Sequence, residues 1–337
     1  MKILSDFSLK TFNTFGIDVK AKWFVSVSNI DELNKVLLSN TEKPKFIIGG
    51  GSNMLLTKNI EALVIHINLK GIKIIDENAD YVLIECMAGE NWHQFVLWTL
   101  EHDFGGLENL SLIPGNVGSA PIQNIGAYGV ELKDSFIRCN AIEINTGKQE
   151  VFDKETCRFG YRESIFKNEC KDKFIITSVV FKLSKHSHKL NTSYGNINTE
   201  LEKNKISNPT IQDISNVVTA IRQNKLPNPK ILGNSGSFFK NPVISVSEFK
   251  SVLEKYPDIP HYIVSDSEVK IPAGWLIEQS GFKGIRIGDA GVHEKQALVL
   301  VNHGKASGEE LWDLAKKIQK TVLEKFEINV ETEVNIF

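Results

Sequence analysis

The stretch from Gly106 to Glu131, GLENLSLIPGNVGSAPIQNIGAYGVE, places five glycines and two prolines in one low-charge segment. Proline removes a backbone donor, and glycine loses more conformational freedom on folding than any other residue, so neither a long helix nor a central strand is expected there. An ordinary loop does not need that combination. Gly118, Ser119 and Ala120 keep side chains small while Gln123 and Asn124 offer donors and acceptors, so the segment can receive a flat heteroaromatic ring and its polar edge. The alternative is that the glycines serve only to let backbones pack closely.

The rest of the chain is long enough to scaffold such a segment. Its 337 residues, 42% hydrophobic and 24% charged, exceed what one core usually organises, so two or three domains are expected. The net charge is −2 with Lys and Arg spread along the chain, which gives no sustained basic surface for nucleic acid and points to a small-molecule ligand. The N-terminus lacks the apolar core of a signal peptide, and no run reaches the roughly 18 apolar residues of a membrane span. A soluble, cytoplasmic monomer is expected. Cys86, Cys139, Cys157 and Cys170 form no CxxC pair and read as reduced thiols, and His186 and His188 in SKHSHK read as a solvated turn rather than metal ligands.

Hydrophobic periodicity gives an α+β chain. NIDELNKVLL is a helix with Ser28 as its cap, and in ENWHQFVLWTLEHDFGG the residues Trp92, Phe95, Val96, Thr99 and Leu100 share one helical face, with Gly105 and Gly106 as the stop. AIEINTGKQEVF is a hairpin, FIITSVVFKL a buried strand, and TIQDISNVVTAIRQNK a helix ending before Leu226 and Pro227, where a domain boundary is expected. A long helix from Gly308 to Phe326 starts with a Ser307–Glu310 capping box. The terminal EINVETEVNIF alternates as a strand, with Ile328, Val330, Thr332, Val334 and Ile336 on one face and Glu331, Glu333 and Asn335 on the other. Alternation alone leaves Glu331 and Glu333 equivalent.

Two shorter motifs carry candidate chemistry. In IIGGGSN an apolar strand ends in Gly49, Gly50 and Gly51, followed by Ser52 and Asn53, so backbone N–H groups are open to an anion such as a pyrophosphate, although a tight turn explains the glycines equally well. In GNSGSFFKNP the hydroxyl of Ser237 follows two glycines and precedes Phe238 and Phe239, which read as core. A serine in such a turn ordinarily satisfies backbone.

Taken in order, NTFGI (13–17), IIGGGSNMLL, IPGNVGSAPIQNIGAYGVE, CRFGYRESIFK, KLPNPKILGNSGSFFKNP, AGWLIEQSGFKG and ETEV resemble the UDP-N-acetylenolpyruvoylglucosamine reductase family, flavoenzymes of bacterial peptidoglycan precursor synthesis. The likeness spans nearly the whole chain, and NTSYGNINTEL is similar to the family's larger type, with a tyrosine loop. It implies a two-part FAD-binding region of the vanillyl-alcohol-oxidase type and a C-terminal α+β substrate domain. The implied divisions are residues 1–70, joined by a terminal strand over 329–337, then 71–225, then 226–328. The chain departs from the family in stopping at Phe337, three residues after Val334, so a shorter return of the last strand is expected.

The resemblance also implies noncovalent FAD, NADPH as hydride donor, and reduction of UDP-N-acetylglucosamine enolpyruvate to UDP-N-acetylmuramate. It assigns flavin binding to Gly49, Gly50, Gly51, Ser52 and Asn53 and to Pro114, Gly115, Gly118, Ser119, Gln123, Asn124, Gly126, Ala127 and Tyr128. It makes Ser237 the proton donor, Arg162 the partner of the enolpyruvyl carboxylate, and Glu333 the catalytic glutamate. Tyr161, Tyr194, Lys225, Asn241 and Gln279 fall at substrate-binding positions. Two rival readings are a related flavin dehydrogenase with another substrate, which need not keep Ser237, Lys225 and Tyr194 together, and a catalytically silent nucleotide-sugar sensor, which would lose the proton donor or the carboxylate-binding pair.

Overall fold

The computed structural model describes residues 2–337, and the chain divides into two compact units, each discontinuous in sequence. The first comprises the N-terminal residues up to Phe7 with Ala21–Gly50 and Ile60–Gln223; the second comprises Ser8–Lys20, Gly51–Asn59 and Asn224–Phe337.

The first unit holds two large sheets and one two-stranded hairpin. In one, the strand Ile60–Ile67 lies parallel to Lys20–Val27 on one side and Lys45–Ile48 on the other. That inner position explains its nearly unbroken apolar sequence, since an inner parallel strand is covered on both faces. The helix Ile30–Ser39 buries Leu33, Val36 and Leu37 against Val25, Leu63 and Ile65. Its cap is Asn29 rather than Ser28: Asn29 is the extended residue whose side chain accepts the Glu32 N–H at 2.9 Å, while Ser28 donates to the Glu32 carboxylate.

The second sheet is antiparallel, in the order Gln149–Asp153, Phe136–Glu143, Phe174–Ser184, Tyr81–Met87, Ile72–Glu77. The expected hairpin is its first pair, and the central Phe174–Ser184 is the expected buried strand. The helix Trp92–Glu101 buries the five predicted residues, with the rings of Phe95 and Phe181 5.0 Å apart. It ends before the glycines. Asp103 takes the left-handed conformation (φ 56°) and Phe104 N–H returns to the Thr99 carbonyl at 2.9 Å, so a residue other than glycine closes it. The helices Ile197–Lys203 and Ile211–Lys225 share a third core of Ile197, Leu201, Ile214, Val217, Val218 and Ile221.

The turn at SKHSHK is not simply solvated. His186 Nε2 lies 3.2 Å from Asp80, and His188, mostly buried, sits 3.4 Å from Asp103 with its Nδ1 2.7 Å from the Ser184 hydroxyl. Each histidine has met a carboxylate brought by another turn, which local sequence cannot show.

In the second unit the helix Gly308–Phe326 begins with the predicted Ser307–Glu310 capping box. Two three-stranded sheets accompany it, Arg286–Ile287, Ala290–Val292, Leu300–Asn302 and Val243–Ser245, Glu268–Lys270, Tyr262–Ile263. The C-terminus alternates in burial as expected, with Ile328, Val330 and Val334 buried, but it is not one strand. Asn335–Ile336 pairs in parallel with Met54–Leu55, Thr332 forms a single antiparallel bridge with Phe239, and the Phe337 carbonyl accepts from Thr57 N–H at 2.8 Å. The side-chain period survives although the stretch changes partner, from Phe238–Lys240 at Glu331–Glu333 to Met54–Leu55 at Asn335–Ile336. Among the described residues no helix is long and apolar enough to cross a membrane.

Candidate active site

Four motifs far apart in sequence meet within the second unit. Thr14 of NTFGI donates its N–H to the Gly51 carbonyl at 3.0 Å, and its own carbonyl accepts from Asn234 N–H at 3.0 Å. The Thr14 and Ser235 hydroxyls are 3.3 Å apart, and Ser235 donates to the Met54 carbonyl. The Asn53 amide donates to the Glu333 carbonyl at 3.3 Å, and Asn335 returns two bonds to the Asn53 carbonyl, from its N–H at 3.2 Å and its side chain at 3.0 Å.

A short antiparallel ladder then joins the residues that follow Ser237 to the segment carrying Glu333. Phe239 pairs with Thr332, Glu333 N–H donates to the Phe238 carbonyl at 2.8 Å, and Lys240 N–H to the Glu331 carbonyl at 2.9 Å. Phe238 and Phe239 are fully buried, as expected, and anchor this ladder. The ladder separates the two carboxylates that alternation left equivalent: Glu331 is exposed and paired with Lys240 at 3.3 Å, whereas Glu333 is half-buried.

The turn presenting Ser237 is built by Asn234. Its buried side chain donates to the Pro227 and Leu232 carbonyls and accepts from Gly236 N–H at 3.0 Å. Gly236 has φ +69° with nothing within 4 Å of an ideal Cβ, so the glycine is required by conformation and not by crowding. Ser237 is half-buried, and its hydroxyl makes no hydrogen bond to another described residue. Asn241 accepts from Ala273 N–H at 3.0 Å and so caps the helix Ala273–Gln279, which ends at the exposed Gln279. Lys225 is exposed at the end of its helix.

The first unit contains the glycine-rich segment as a chain of short turns. An ideal Cβ on Gly50 would lie 2.9 Å from Gly115 Cα and 3.0 Å from Asn116 Oδ1, and one on Gly118 would lie 2.5 Å from Ala88 Cβ. Close backbone approach therefore accounts for both glycines. Gly115 accepts from Trp92 N–H at 3.0 Å, and Gly118 N–H donates to Ala88 at 2.9 Å. Asn124, fully buried and left-handed (φ 44°), donates to Glu131 and to the Gly160 carbonyl and accepts from Lys133 N–H, so its side chain braces the segment. Gln123, Gly126 and Ala127 are half-buried, and Pro114 and Ser119 are exposed. Gly126–Ala127 and Val130–Glu131 form a hairpin whose two-residue tip, Tyr128 and Gly129, has φ 50° and 79°. That is the geometry of a type I′ turn, with a tyrosine where glycine or asparagine is usual.

Arg162 occupies another left-handed position, φ 55°, in the tight turn closed by reciprocal bonds between Gly160 and Glu163. A bulky residue there costs about 1–2 kcal/mol, a strain typical of functional turns. Its Nη2 donates to the Gly126 carbonyl at 2.6 Å, which fixes the guanidinium beside the hairpin, and the ring of the exposed Tyr161 lies 5.7 Å away.

Sequence reasoning missed Arg222. It follows Val218 by four residues, so helical spacing puts it on the apolar face of Ile211–Lys225, a signal available from the sequence. Its Nε is buried without a hydrogen-bond partner. Burial lowers its pKa; Tyr128 opposes that shift and Arg162 adds to it. The same environment raises the Tyr128 phenol, chiefly by burial, and holds His93 below its ordinary value through burial and then Arg222. A half-buried guanidinium whose Nε lacks a partner, with a second guanidinium and a neutral phenol near it, suits an anionic ligand. Together with glycine surfaces that admit no side chain, this donor set fits FAD, which carries a pyrophosphate and a flat ring. Among the described residues no cluster of His, Cys, Asp or Glu could hold a metal ion.

These features define a flavin-binding protein, and residues 21–152 match the FAD binding domain family. Residues 228–337 match the C-terminal domain of UDP-N-acetylenolpyruvoylglucosamine reductase. The chain belongs to the UDP-N-acetylenolpyruvoylglucosamine reductase family. It is 62% identical over 336 residues to the reductase of that name from Flavobacterium johnsoniae, covering 100% of both chains, and 46% identical to that of Pseudomonas aeruginosa, covering 98% of this chain and 97% of the other. The crystal structure of the Thermus caldophilus reductase shares the fold, with a TM-score of 0.68 at 23% identity over 100% of this chain and 98% of that one.

Proposed function

We propose that the protein reduces UDP-N-acetylglucosamine enolpyruvate to UDP-N-acetylmuramate with NADPH and FAD, in peptidoglycan precursor synthesis. The observation that carries this reading is the unengaged hydroxyl of Ser237 on a segment whose next residue, Phe238, accepts the N–H of the half-buried Glu333, in the unit that matches the reductase C-terminal domain. FAD would be held noncovalently by residues 49–53 and by the segment containing Pro114, Gly115, Gly118, Ser119, Gln123, Asn124, Gly126, Ala127 and Tyr128, and supplies a two-electron carrier between NADPH and the enolpyruvyl double bond.

Reduction of that double bond leaves negative charge on the carbon bearing the carboxylate, so the site must hold the charge and deliver a proton. Arg162, its guanidinium pre-set by Gly126, binds the substrate carboxylate with a planar fork that lysine lacks. Ser237 gives its hydroxyl proton to the substrate carbon, and Glu333 sits on the adjoining strand to stabilise the charge shift. Lys225 neutralises the nucleotide diphosphate, Asn241, Gln279 and Tyr161 position the sugar nucleotide, and Tyr194 covers it. Arg222 adds half-buried positive charge near Tyr128.

Stopped-flow absorbance of the bound flavin tests the reading by separating reduction by NADPH from reoxidation by the enolpyruvyl sugar nucleotide. Reduction followed by substrate-dependent reoxidation is expected; a folded protein without flavin, or a reduced flavin indifferent to the substrate, refutes it.

A further inference from the structure

One buried side chain joins the segment carrying Tyr194 to the glycine-rich hairpin. Asn109, 1% exposed, lies in the helical turn Glu108–Leu110. Its amide nitrogen donates to the Tyr128 carbonyl at 3.0 Å and to the Asn191 carbonyl at 2.8 Å. Tyr128 is at the hairpin tip and Asn191 opens NTSYGNINTEL. The joint is narrow: Asn191 Nδ2 donates to the Gly129 carbonyl at 3.1 Å, and a Cβ on Gly129 would lie 2.9 Å from that nitrogen and 3.2 Å from Tyr194 Cβ. On the far side, the Tyr128 ring packs against the core formed by the two helices that follow Tyr194. Tyr194 itself is 54% exposed.

The Asn109 carbonyl oxygen is buried with no hydrogen-bond partner. Its two donors are what the fold uses, since one nitrogen holds two carbonyls from segments far apart in sequence. We propose that Asn109 is a positioning residue that seats the root of the Tyr194 segment on the flavin-loop hairpin, so that Tyr194 is already aimed when the sugar nucleotide arrives. This rests on the reading of Tyr194 as the cover of that ligand. With the joint broken, the segment occupies orientations that do not meet the ligand, and apparent affinity falls by the fraction that remains competent.

The test titrates the oxidised holoenzyme with UDP-N-acetylglucosamine enolpyruvate, which does not turn over without NADPH, and follows the visible absorption of bound FAD. Asn109→Ala, and Asn109→Asp, which keeps the shape and loses both donors, are expected to raise Kd about 10-fold, the worth of two hydrogen bonds. Flavin content and the limiting rate of flavin reduction by NADPH stay within about 2-fold of wild type, since the joint acts on ligand seating alone. Asn191→Ala, a change at a half-buried position outside the hydrophobic cores, raises Kd by a smaller factor. In a Tyr194→Ala background, Asn109→Ala adds nothing further. An unchanged Kd in the Asn109 variants while Tyr194→Ala weakens binding overturns the joint alone, as does a fully additive loss in the double variant. Unchanged binding in Tyr194→Ala overturns the cover, and the joint with it.

Discussion

The glycine-rich stretch from Gly106 to Glu131 and the turn from Gly233 to Ser237 look alike in sequence, yet Gly118 in the one and Gly236 in the other are held as glycine for opposite reasons. In the first, space decides at Gly118, which faces Ala88, and at the close approach of Gly50 to Gly115, while Gly106, Gly115 and Gly129 also take positive φ. Its buried amides brace backbone, Asn124 through three bonds. In the second, Gly236 faces open space and is required only by its positive φ, and the next hydroxyl is unengaged. The first builds a surface against which a ligand can lie. The second holds out a reactive group. Composition cannot tell these apart, because glycine satisfies both demands.

The largest effect falls where the chain has left a group unengaged. Ser237→Ala should slow flavin reoxidation by the enolpyruvyl substrate about 10²–10⁴-fold, the usual worth of a positioned proton donor, while leaving reduction by NADPH unchanged. Equal reoxidation rates would remove Ser237 from the chemistry and the contrast with it. Gly50→Ala should come next. Its Cβ would meet backbone, so the two loops must separate at a cost of about 1–3 kcal/mol, read as a lower thermal midpoint and loss of flavin on desalting. Gly236→Ala meets nothing and adds only left-handed strain, about 1 kcal/mol. If Gly236→Ala lowers the midpoint more than Gly50→Ala, the two regions are not built as described.

What was legible in the sequence was mostly local. The Ser307–Glu310 box and the buried face of Trp92–Glu101 depend on residues within a few positions of one another, so periodicity and capping chemistry find them. Asn29 displaced Ser28 as cap because adjacent residues have equal capping chemistry and only backbone angles decide. The C-terminal stretch is not one strand because alternating burial does not need one continuous partner; its backbone bonds pass from Phe238–Lys240 to Met54–Leu55. Long-range features were invisible to the residues alone. The pairing of His188 with Asp103 and the ladder that separates Glu333 from Glu331 both depend on segments brought together by the fold, whereas the helical face of Arg222 could be read from its spacing. The resemblance of the motifs to one family supplied the candidate residues, and the structure supplied their surroundings.

The smallest effect concerns how the glycine-rich stretch responds to acid. Leu112, left-handed at φ 58°, donates its N–H to His93 Nδ1 at 3.0 Å, so that nitrogen must be unprotonated. Burial, followed by the charge of Arg222, holds the His93 pKa below its ordinary value. A depressed folded-state pKa gives stability that is present above the unfolded value, near 6.5, and is lost as pH falls through the folded one. Acidification from pH 7 to below 6 should therefore loosen the first region, while the Gly233–Ser237 turn, held by amides and backbone, has no titrating acceptor of this kind. His93→Gln keeps an acceptor and removes the titration. Its thermal midpoint should fall less steeply with acid than that of the wild type, by an amount equivalent to about 1 kcal/mol, one hydrogen bond. Parallel curves for the two proteins would show that the Leu112 contact contributes nothing to the acid response.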